Sequence, residues 1–295
     1  MRAVVVREFG GPEAVEVVEA EVPEPGAREV RIKVAAAPLN PVDVGLRAGA
    51  FGGAGKQVGL GWDVAGVVDA VGVAGAWAVG DRVVALDHGI SGALGAQAEF
   101  VVVPVDAVAV APRGVDEVHA STLPLNGLTA LQGLDAMELG AGQTLLVTGA
   151  AGGVGAFVVQ LAVQRGVSVT GLAREGDAEY VRGLGAEFAG AGDVEGEFDG
   201  VFDAAVLGEA ALGWVRDGGV YMGVMPQGQP AGVRGIRTSA VEVAADGAQL
   251  AGLVKLMEEG VLTTRVAGTY GLEEAGEAHA RFGRGGVGGR LVLVP

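Results

Sequence analysis

The chain has 295 residues, which at roughly 150 residues per domain suggests two domains with room for substantial cores. Glycine accounts for 54 residues, but there is no Gly-X-Y period and 50% of the residues are apolar, which excludes a collagen and a disordered chain. A formal net charge of -16 argues against nucleic acid or an anionic membrane as a partner, and the absence of Cys excludes disulfides, thiolate zinc sites and cysteine nucleophiles.

The start of the chain predicts a cytoplasmic protein. Arg7, Glu8 and Glu13 interrupt the apolar stretch that a secretory signal needs. Residues 139–164 carry no charge and are long enough to cross a bilayer, but four glycines interrupt them at the centre. A buried strand and a buried helix joined by a glycine turn explain this stretch better than a membrane span.

Up to about residue 110 the chain reads as short β-strands separated by turn residues. This pattern predicts an all-β first half, in the manner of a distorted barrel. Pro38 and Pro41 flank Asn40, and they predict that this stretch is not helical. The predicted strands cover residues 3–6, 15–18, 29–36, 64–71, 82–86, 99–103 and 107–110.

From about residue 116 the periodicity becomes helical, and strands then alternate with helices in units of about 30 residues. Such alternation predicts a parallel sheet with crossover helices, an architecture typical of nucleotide-binding domains. We therefore predict a first domain of residues 1–115, completed by residues 265–295, and a second domain of residues 116–264. The predicted elements are strands at 144–148, 167–173, 201–205, 220–224, 261–267 and 290–294, and helices at 119–125, 127–138, 154–165, 178–184, 212–215 and 247–259.

The most informative stretch joins an apolar strand, a glycine-rich turn and an apolar helix. Residues 144–155 read TLLVTGAAGGVG, and AFVVQLAVQ follows. These three parts place a pyrophosphate on the free N–H groups of a helix N-terminus, and the turn fits G-x-G-x-x-G with Ala150 in place of the first Gly. The plainer alternative is an ordinary tight turn in a glycine-rich protein. The turn residues that would bind the coenzyme are Gly149, Ala151, Gly152, Gly153, Val154 and Gly155.

Arg174 follows the next predicted strand, about 20 residues past the turn. Proteins that bind NAD place an acidic residue there on the ribose diol, whereas a guanidinium can engage the 2′-phosphate of NADP. Arg174 therefore favours NADPH. Two alternatives stay open: Arg174 is a solvated residue at a helix start, or the neighbouring Glu175 binds the diol and the coenzyme is NADH.

Several blocks, taken in order, resemble the medium-chain dehydrogenase/reductase superfamily, in its zinc-free quinone oxidoreductase branch, which is similar to zeta-crystallin. The resemblance covers essentially the whole chain. It implies an α/β fold, with a GroES-like β-rich catalytic domain, a Rossmann domain with a doubly wound parallel sheet, and the active cleft between them. It also implies a homodimer, commonly joined through Rossmann-domain strands. The blocks are NPVD at 40–43, GWDVAG at 61–66, VGDRV at 79–83, LPLNGLTA at 123–130, the glycine turn, and GRLVL at 289–293.

The zinc-dependent branch of this superfamily carries metal ligands in a Cys-x-x-Asp block and a Gly-His-Glu block. Similar positions here hold Asn40 and Trp62, which are unsuitable ligands, and the three His residues are scattered. We therefore expect no catalytic metal. Without a Lewis acid an alkoxide is hard to stabilise, whereas hydride addition to an activated C=C bond gives an enolate that hydrogen-bond donors can hold. The branch is known for reducing quinones and α,β-unsaturated carbonyls with NADPH.

The resemblance also implies roles for individual residues. Asn40 and Asp43 would border the nicotinamide and the substrate, and Thr129 would contact the nicotinamide side. His88 lies in a loop that could face the cleft, and imidazole suits proton donation near neutral pH, although a lone loop His is more often a surface residue. Trp62 could line the substrate pocket or belong to the β-core.

Two positions depart from the pattern of this branch. Gly45 and Gln97 stand at positions of the substrate pocket. Many relatives carry Tyr or Lys at the position of Gly45, and the related block has Tyr at the position of Gln97. Their replacement leaves open a second hypothesis, in which the chain keeps the fold and the coenzyme site as a non-redox tailoring enzyme or a nucleotide-binding protein.

Overall fold

The computed structural model describes residues 1–52, 55–73, 75, 77–87 and 92–295, and the chain forms two compact units. Unit 1 comprises Met1–Leu125, Ala244–Glu259 and Thr264–Pro295, and unit 2 comprises Asn126–Val243 and Gly260–Thr263. The first crossing between units therefore follows residue 125 rather than residue 115, and a helix near residue 250 belongs to unit 1.

Of the strands in the described residues, eight precede the alternating α/β region, six lie within it and two follow it. In chain order they are β1 (Arg2–Val6), β2 (Glu16–Glu19), β3 (Glu29–Pro38), β4 (Val58–Gly59), β5 (Asp63–Val71), β6 (Arg82–Leu86), β7 (Phe100–Pro104), β8 (Val108–Val110), β9 (Thr144–Thr148), β10 (Ser168–Leu172), β11 (Glu187–Ala189), β12 (Phe198–Asp203), β13 (Val215–Gly223), β14 (Arg237–Ala240), β15 (Val266–Gly271) and β16 (Arg290–Val294).

The described residues form seven α-helices, of which six follow residue 116. In chain order they are α1 (Pro41–Arg47), α2 (Glu117–Ala120), α3 (Pro124–Met137), α4 (Gly153–Gln164), α5 (Ala178–Gly183), α6 (Gly247–Glu258) and α7 (Ala275–Gly283). No helix among the described residues has the length and apolar character needed to cross a bilayer.

Unit 1 is built on two β-sheets. In the smaller sheet β1 lies between β2 and β4 and is antiparallel to both. The larger sheet has the order β15-β16-β3-β5-β6-β8, and β7 also pairs with β3. Alternate residues of β3, including Val30, Ile32 and Val34, are buried and pack with Val64 and Val83 of the neighbouring strands. This alternation is what the period of a β-strand with one buried face requires.

Unit 2 is a parallel sheet with the order β11-β10-β9-β12-β13-β14. The middle of β9 is fully buried, and most of the surface of α4 is buried as well. Strands that are covered on both faces read as continuous apolar runs, which explains the lack of charge between residues 139 and 164. The order of strands reverses beside β9, and ligands of such sheets bind at this point. The predicted α/β fold class, with a β-rich domain and a doubly wound parallel sheet, is confirmed.

Residues 38–40 are not helical, as predicted, but a helix that was not predicted begins directly after them. Pro41 is the first residue of α1, where a proline has no N–H bond to lose and its fixed φ suits the helix. Asn40 is the N-cap, and the side chain of Asp43 accepts a hydrogen bond from the Asn40 N–H at 2.7 Å. This capping box begins the helix in spite of the two prolines.

Other differences occur at segment ends. The predicted strand at residues 261–267 is wrong over its first part, since β15 begins at Val266. Thr263 instead bonds through its backbone N–H to the side-chain oxygen of Gln160 at 2.7 Å. The segment predicted as a helix at 212–215 lies in a 3-10 helix, Gly208–Trp214, and in the start of β13. The strands β11 and β14 and the helix α7 were not predicted.

Candidate active site

The glycine turn of unit 2 lies between β9 and α4, at the carboxyl edge of the sheet. Gly149 has a φ of +61°, a conformation that glycine adopts without strain, and the Gly152 N–H donates to the Gly149 carbonyl oxygen at 2.8 Å. Gly152 is the N-cap of α4 and offers no side chain to cap it, and the first turn of the helix has no acidic residue. The first N–H groups of a helix lack acceptors within the helix, so this end is suited to an anion.

Gly155 shows how closely the backbone approaches itself in this turn. A Cβ atom on Gly155 would lie 2.2 Å from the Gly149 carbonyl oxygen, so a side chain does not fit without a movement of the backbone. The turn therefore has the geometry that a dinucleotide pyrophosphate needs: exposed peptide donors, a positive helix end and no side chain in the way. The coenzyme implied by the sequence fits these residues.

Arg174 follows the end of β10, next to β9 in the sheet. Its side chain is 61% exposed, and its Nη2 lies 3.1 Å from Oδ2 of Asp177, which is nearly buried. Glu175 is the next residue and is also exposed. A guanidinium and a carboxylate thus both lie directly after β10, where dinucleotide-binding domains distinguish the ribose 2′-phosphate of NADP from the ribose diol of NAD.

A buried carboxylate at the end of β12 was not singled out from the sequence. Asp203 is fully buried, and it accepts hydrogen bonds from the Thr148 hydroxyl at 2.6 Å and the Tyr221 hydroxyl at 2.8 Å. These residues lie on β12, β9 and β13, whose carboxyl ends meet at this edge. The available signal was a charged residue ending the apolar run of β12 in a parallel sheet. Thr129, predicted to contact the nicotinamide, lies on α3 and is 7% exposed.

In unit 1 the predicted residue Asn40 belongs to a buried polar cluster. Its Nδ2 donates to Oδ2 of Asp63 at 2.6 Å, and its Oδ1 accepts from Nη2 of Arg290 at 2.5 Å. Arg290 also donates to the Leu39 carbonyl oxygen at 2.6 Å. The Leu125 N–H donates to Oδ1 of Asp63 at 2.5 Å. Asn40 therefore bridges a buried carboxylate and a buried guanidinium that compensates its charge.

The second predicted residue of this region, Asp43, is also fully buried. Its Oδ2 accepts from the Asn40 N–H, and its Oδ1 accepts from the Gly61 N–H at 2.9 Å. Burial raises the pKa of Asp43 to about 7 against the opposing effect of these two bonds, and burial likewise raises the pKa of Asp63 to about 6, with Arg290 opposing it. Asp43 and Asp63 thus share one buried cation, Arg290.

The three residues predicted to line the substrate pocket, Gly45, Trp62 and Gln97, all belong to unit 1. A Cβ atom on Gly45 would lie 3.0 Å from the ring of Phe51, so this aromatic side chain covers the position. Trp62 is 5% exposed. Gln97 is fully buried, and its Oε1 lies 3.3 Å from Nε2 of His279. His88, the candidate proton donor, lies outside the described residues.

A catalytic zinc does not fit the described side chains. Asn40 and Trp62 present an amide and an indole, the chain has no Cys, and within the part of the chain that the structure describes no group of three or more His, Asp or Glu could hold a metal. The carboxylate of Asp63 is already bound to Asn40 and lies near Arg290.

The parallel sheet and glycine turn of unit 2, together with the β-rich unit 1, define a dinucleotide-binding protein. Two protein-family models match segments of the chain: one described as alcohol dehydrogenase GroES-like domain covers residues 26–113, and one described as zinc-binding dehydrogenase covers residues 179–293.

Curated relatives match over most of the chain. The chain is 36% identical over 262 residues to the chloroplastic NADPH-dependent alkenal/one oxidoreductase of Arabidopsis thaliana, covering 82% of this chain and 67% of that protein. It is 32% identical over 292 residues to the 2-methylene-furan-3-one reductase of Solanum lycopersicum, covering 93% and 74%.

Solved structures agree with this similarity over the full length. The quinone oxidoreductase from Coxiella burnetii superposes with a TM-score of 0.89 at 27% identity, covering 100% of this chain and 99% of that one. A mycobacterial protein solved in complex with NADPH superposes with a TM-score of 0.85 at 27% identity, covering 100% of both chains. The chain belongs to the medium-chain dehydrogenase/reductase superfamily, in its quinone oxidoreductase branch, and this prediction is confirmed.

Proposed function

We propose that this chain is an NADPH-dependent, metal-independent oxidoreductase that transfers hydride to a quinone or to the C=C bond of an α,β-unsaturated carbonyl compound. The observation that carries the proposal is the glycine turn, with the side-chain-free N-terminus of α4 at the carboxyl edge of the sheet. Relatives named as an alkenal/one oxidoreductase, a furanone reductase and quinone oxidoreductases support the substrate class.

The residues of the turn would hold the coenzyme by its pyrophosphate. The N–H groups of Gly153, Val154 and Gly155 open α4, and the missing side chains at Gly152 and Gly155 allow a close approach. When bound, NADPH supplies the hydride that adds to the β-carbon of the unsaturated substrate. The enolate then takes a proton from water or from a side chain, which completes the reduction.

Arg174 would select NADPH by engaging the 2′-phosphate. Its guanidinium is well exposed at the end of β10, and Asp177 holds it from one side. The change Arg174→Ala should raise the dissociation constant for NADPH more than that for NADH. The matched control is Arg182→Ala, which removes an arginine of α5 that lies over the ring of Phe188. Equal losses for both coenzymes would refute the assignment.

Asn40 and Asp43 would act as positioning residues for the corner between β3 and α1. Both are fully buried, and their polar atoms bind Asp63, Arg290 and backbone N–H groups of the same unit. Their predicted places beside the nicotinamide and substrate stay predictions, as do the roles of Gly45, Trp62, Gln97, Thr129 and His88.

We also propose a homodimer in the cytoplasm. The strand β14 forms one edge of the unit 2 sheet, and in the part of the chain that the structure describes no strand pairs with its outer side. Light scattering after size exclusion should give about twice the 29.3 kDa mass of the chain.

The decisive experiment follows NADPH absorbance with a panel of small quinones and enones, and with matched saturated ketones as controls. The proposed function requires decay with members of the first group and none with the saturated ketones. NADPH binding without decay on any compound would favour the non-redox hypothesis. Failure to bind NADPH would refute both.

A further inference from the structure

The segment that follows β12 is held in an unusual conformation. Val206 has a φ of +58°, in the left-handed region that a β-branched residue rarely occupies. It is also 47% exposed, and Leu207 beside it is 40% exposed. A valine that is both strained and solvated needs a cause elsewhere in the fold, because neither state is favourable by itself.

The cause lies in hydrogen bonds at both ends of this segment. At its start the Ala205 N–H donates to the Thr148 hydroxyl oxygen at 3.0 Å. At its end the Gly208 N–H donates to Oδ2 of Asp203 at 2.8 Å. Because Thr148 itself donates to Asp203, one buried carboxylate fixes both ends of residues 205–208.

Tyr221 completes the support of this carboxylate. Its hydroxyl donates to the same Oδ2 that receives the Gly208 N–H, and burial together with the Asp203 carboxylate raises the pKa of Tyr221. The hydroxyl therefore stays a donor over the working range of pH. Asp203 thus accepts three hydrogen bonds in a fully buried place, which is enough to hold the strained segment.

The segment lies where the coenzyme has to pass. A Cβ atom on Gly149 of the glycine turn would be 3.3 Å from the backbone nitrogen of Ala205. Arg174 lies on the β10 side of the turn, so the adenosine half would extend that way and the nicotinamide half across the ends of β12 and β13. Met225 follows β13 and is 47% exposed. It lies near Val206, since a Cβ atom on Gly228 would be 3.9 Å from Cβ of Met225 and 3.9 Å from Cγ1 of Val206.

We propose that Asp203 is a positioning residue that holds Val206 and Leu207 as an apolar wall for the nicotinamide half of the coenzyme. The inference rests on the proposed function, since it takes NADPH as the ligand. In this role the strain at Val206 is retained because the same backbone conformation directs its side chain outward. No charged side chain is needed, since the nicotinamide ring of NADPH is uncharged and apolar on its faces.

The test uses two ligands and the apo protein. 2′,5′-ADP carries the adenosine and the 2′-phosphate but lacks the nicotinamide half, so it reports on the other side of the turn. Asp203→Ala should weaken NADPH binding by at least about tenfold and leave the 2′,5′-ADP affinity near that of the wild type. Asp203→Asn should restore NADPH binding to within about threefold, because its amide oxygen can accept from Tyr221 and Gly208 while its NH2 donates to Thr148.

Val206→Gly gives a second, solvent-exposed test that does not endanger folding. Glycine suits the positive φ, so the melting temperature of the apo protein should stay or rise, while NADPH binding weakens about fivefold. The control Val233→Gly changes a valine of unit 2 that is 48% exposed and precedes β14, and it should leave NADPH binding unchanged. Unchanged NADPH affinity in Val206→Gly, or equal loss of both ligands in Asp203→Ala, would overturn the proposal. A wild-type protein that fails to bind NADPH would instead overturn the proposed function.

Discussion

Replacing Gly155 by alanine tests the close packing of the glycine turn directly. The added Cβ would lie 2.2 Å from the Gly149 carbonyl oxygen and 2.8 Å from the carbonyl carbon. Both are backbone atoms, so a flexible side chain cannot move aside. Compared with ordinary contact distances of about 3.5 Å, the overlap exceeds about 1 Å, and the turn or the start of α4 has to shift.

The expected loss of stability can be worked out from two opposing effects. Overpacking of this kind costs about 1–3 kcal/mol, and the higher helix propensity of alanine returns up to about 1 kcal/mol. Because the overlap is with backbone atoms, the overpacking cost lies near the upper end of this range, and the net loss of about 2 kcal/mol should lower the melting temperature by several degrees. Because the same shift moves the N–H groups that would bind the pyrophosphate, the dissociation constant for NADPH should rise at least about tenfold.

The assay combines thermal unfolding of the apo protein with fluorescence titration of NADPH. Gly252→Ala is the matched control, since Gly252 is exposed on α6 and a Cβ there would meet no atom within 4 Å. This control should gain up to about 1 kcal/mol of stability and keep the affinity of the wild type. If Gly155→Ala behaved like this control in both measurements, the turn would not be the close-packed cradle described above.

Three further predictions concern the buried charges and the absence of a metal requirement. Burial and the Arg47 guanidinium lower the pKa of His279 from 6.5 to about 4, so the stability due to neutral His279 is present above pH 6.5 and is lost as the pH falls through 4. In urea unfolding, His279→Gln should lose less unfolding free energy than the wild type over this pH range. An equal dependence of the unfolding free energy on pH in the two proteins would contradict this prediction. Arg290→Met should lower the unfolding free energy by about 3–5 kcal/mol, because it leaves the Asp63 carboxylate buried without its cation. The exposed control Arg82→Met should lower it by less than about 1 kcal/mol. Similar losses in the two variants would be incompatible with the buried polar cluster of Asn40, Asp63 and Arg290. Chelator treatment should leave the reductase activity unchanged, and stoichiometric zinc by metal analysis would contradict a metal-independent reaction.

The sequence determined those features that depend on neighbouring residues. The strand, turn and helix around Gly152 could be predicted because glycine spacing, apolar runs and helix starts act over a few residues. The same local chemistry could also have predicted α1, because proline is permitted at the first position of a helix and the capping box of Asn40 with Asp43 supplies the start.

Tertiary structure decided which distant side chains meet. Asn40 binds Arg290, 250 positions away in the chain, and Thr148 binds Asp203, 55 positions away. Such pairs depend on strand order and register, because these bring distant strand ends together. The local sequence does not show which polar side chains become buried, and a buried polar group needs a hydrogen-bond partner. The glycine turn proposed to hold the pyrophosphate could therefore be predicted from the sequence, whereas the partners of the buried carboxylates Asp63 and Asp203 become visible only once the strands of each sheet are placed side by side.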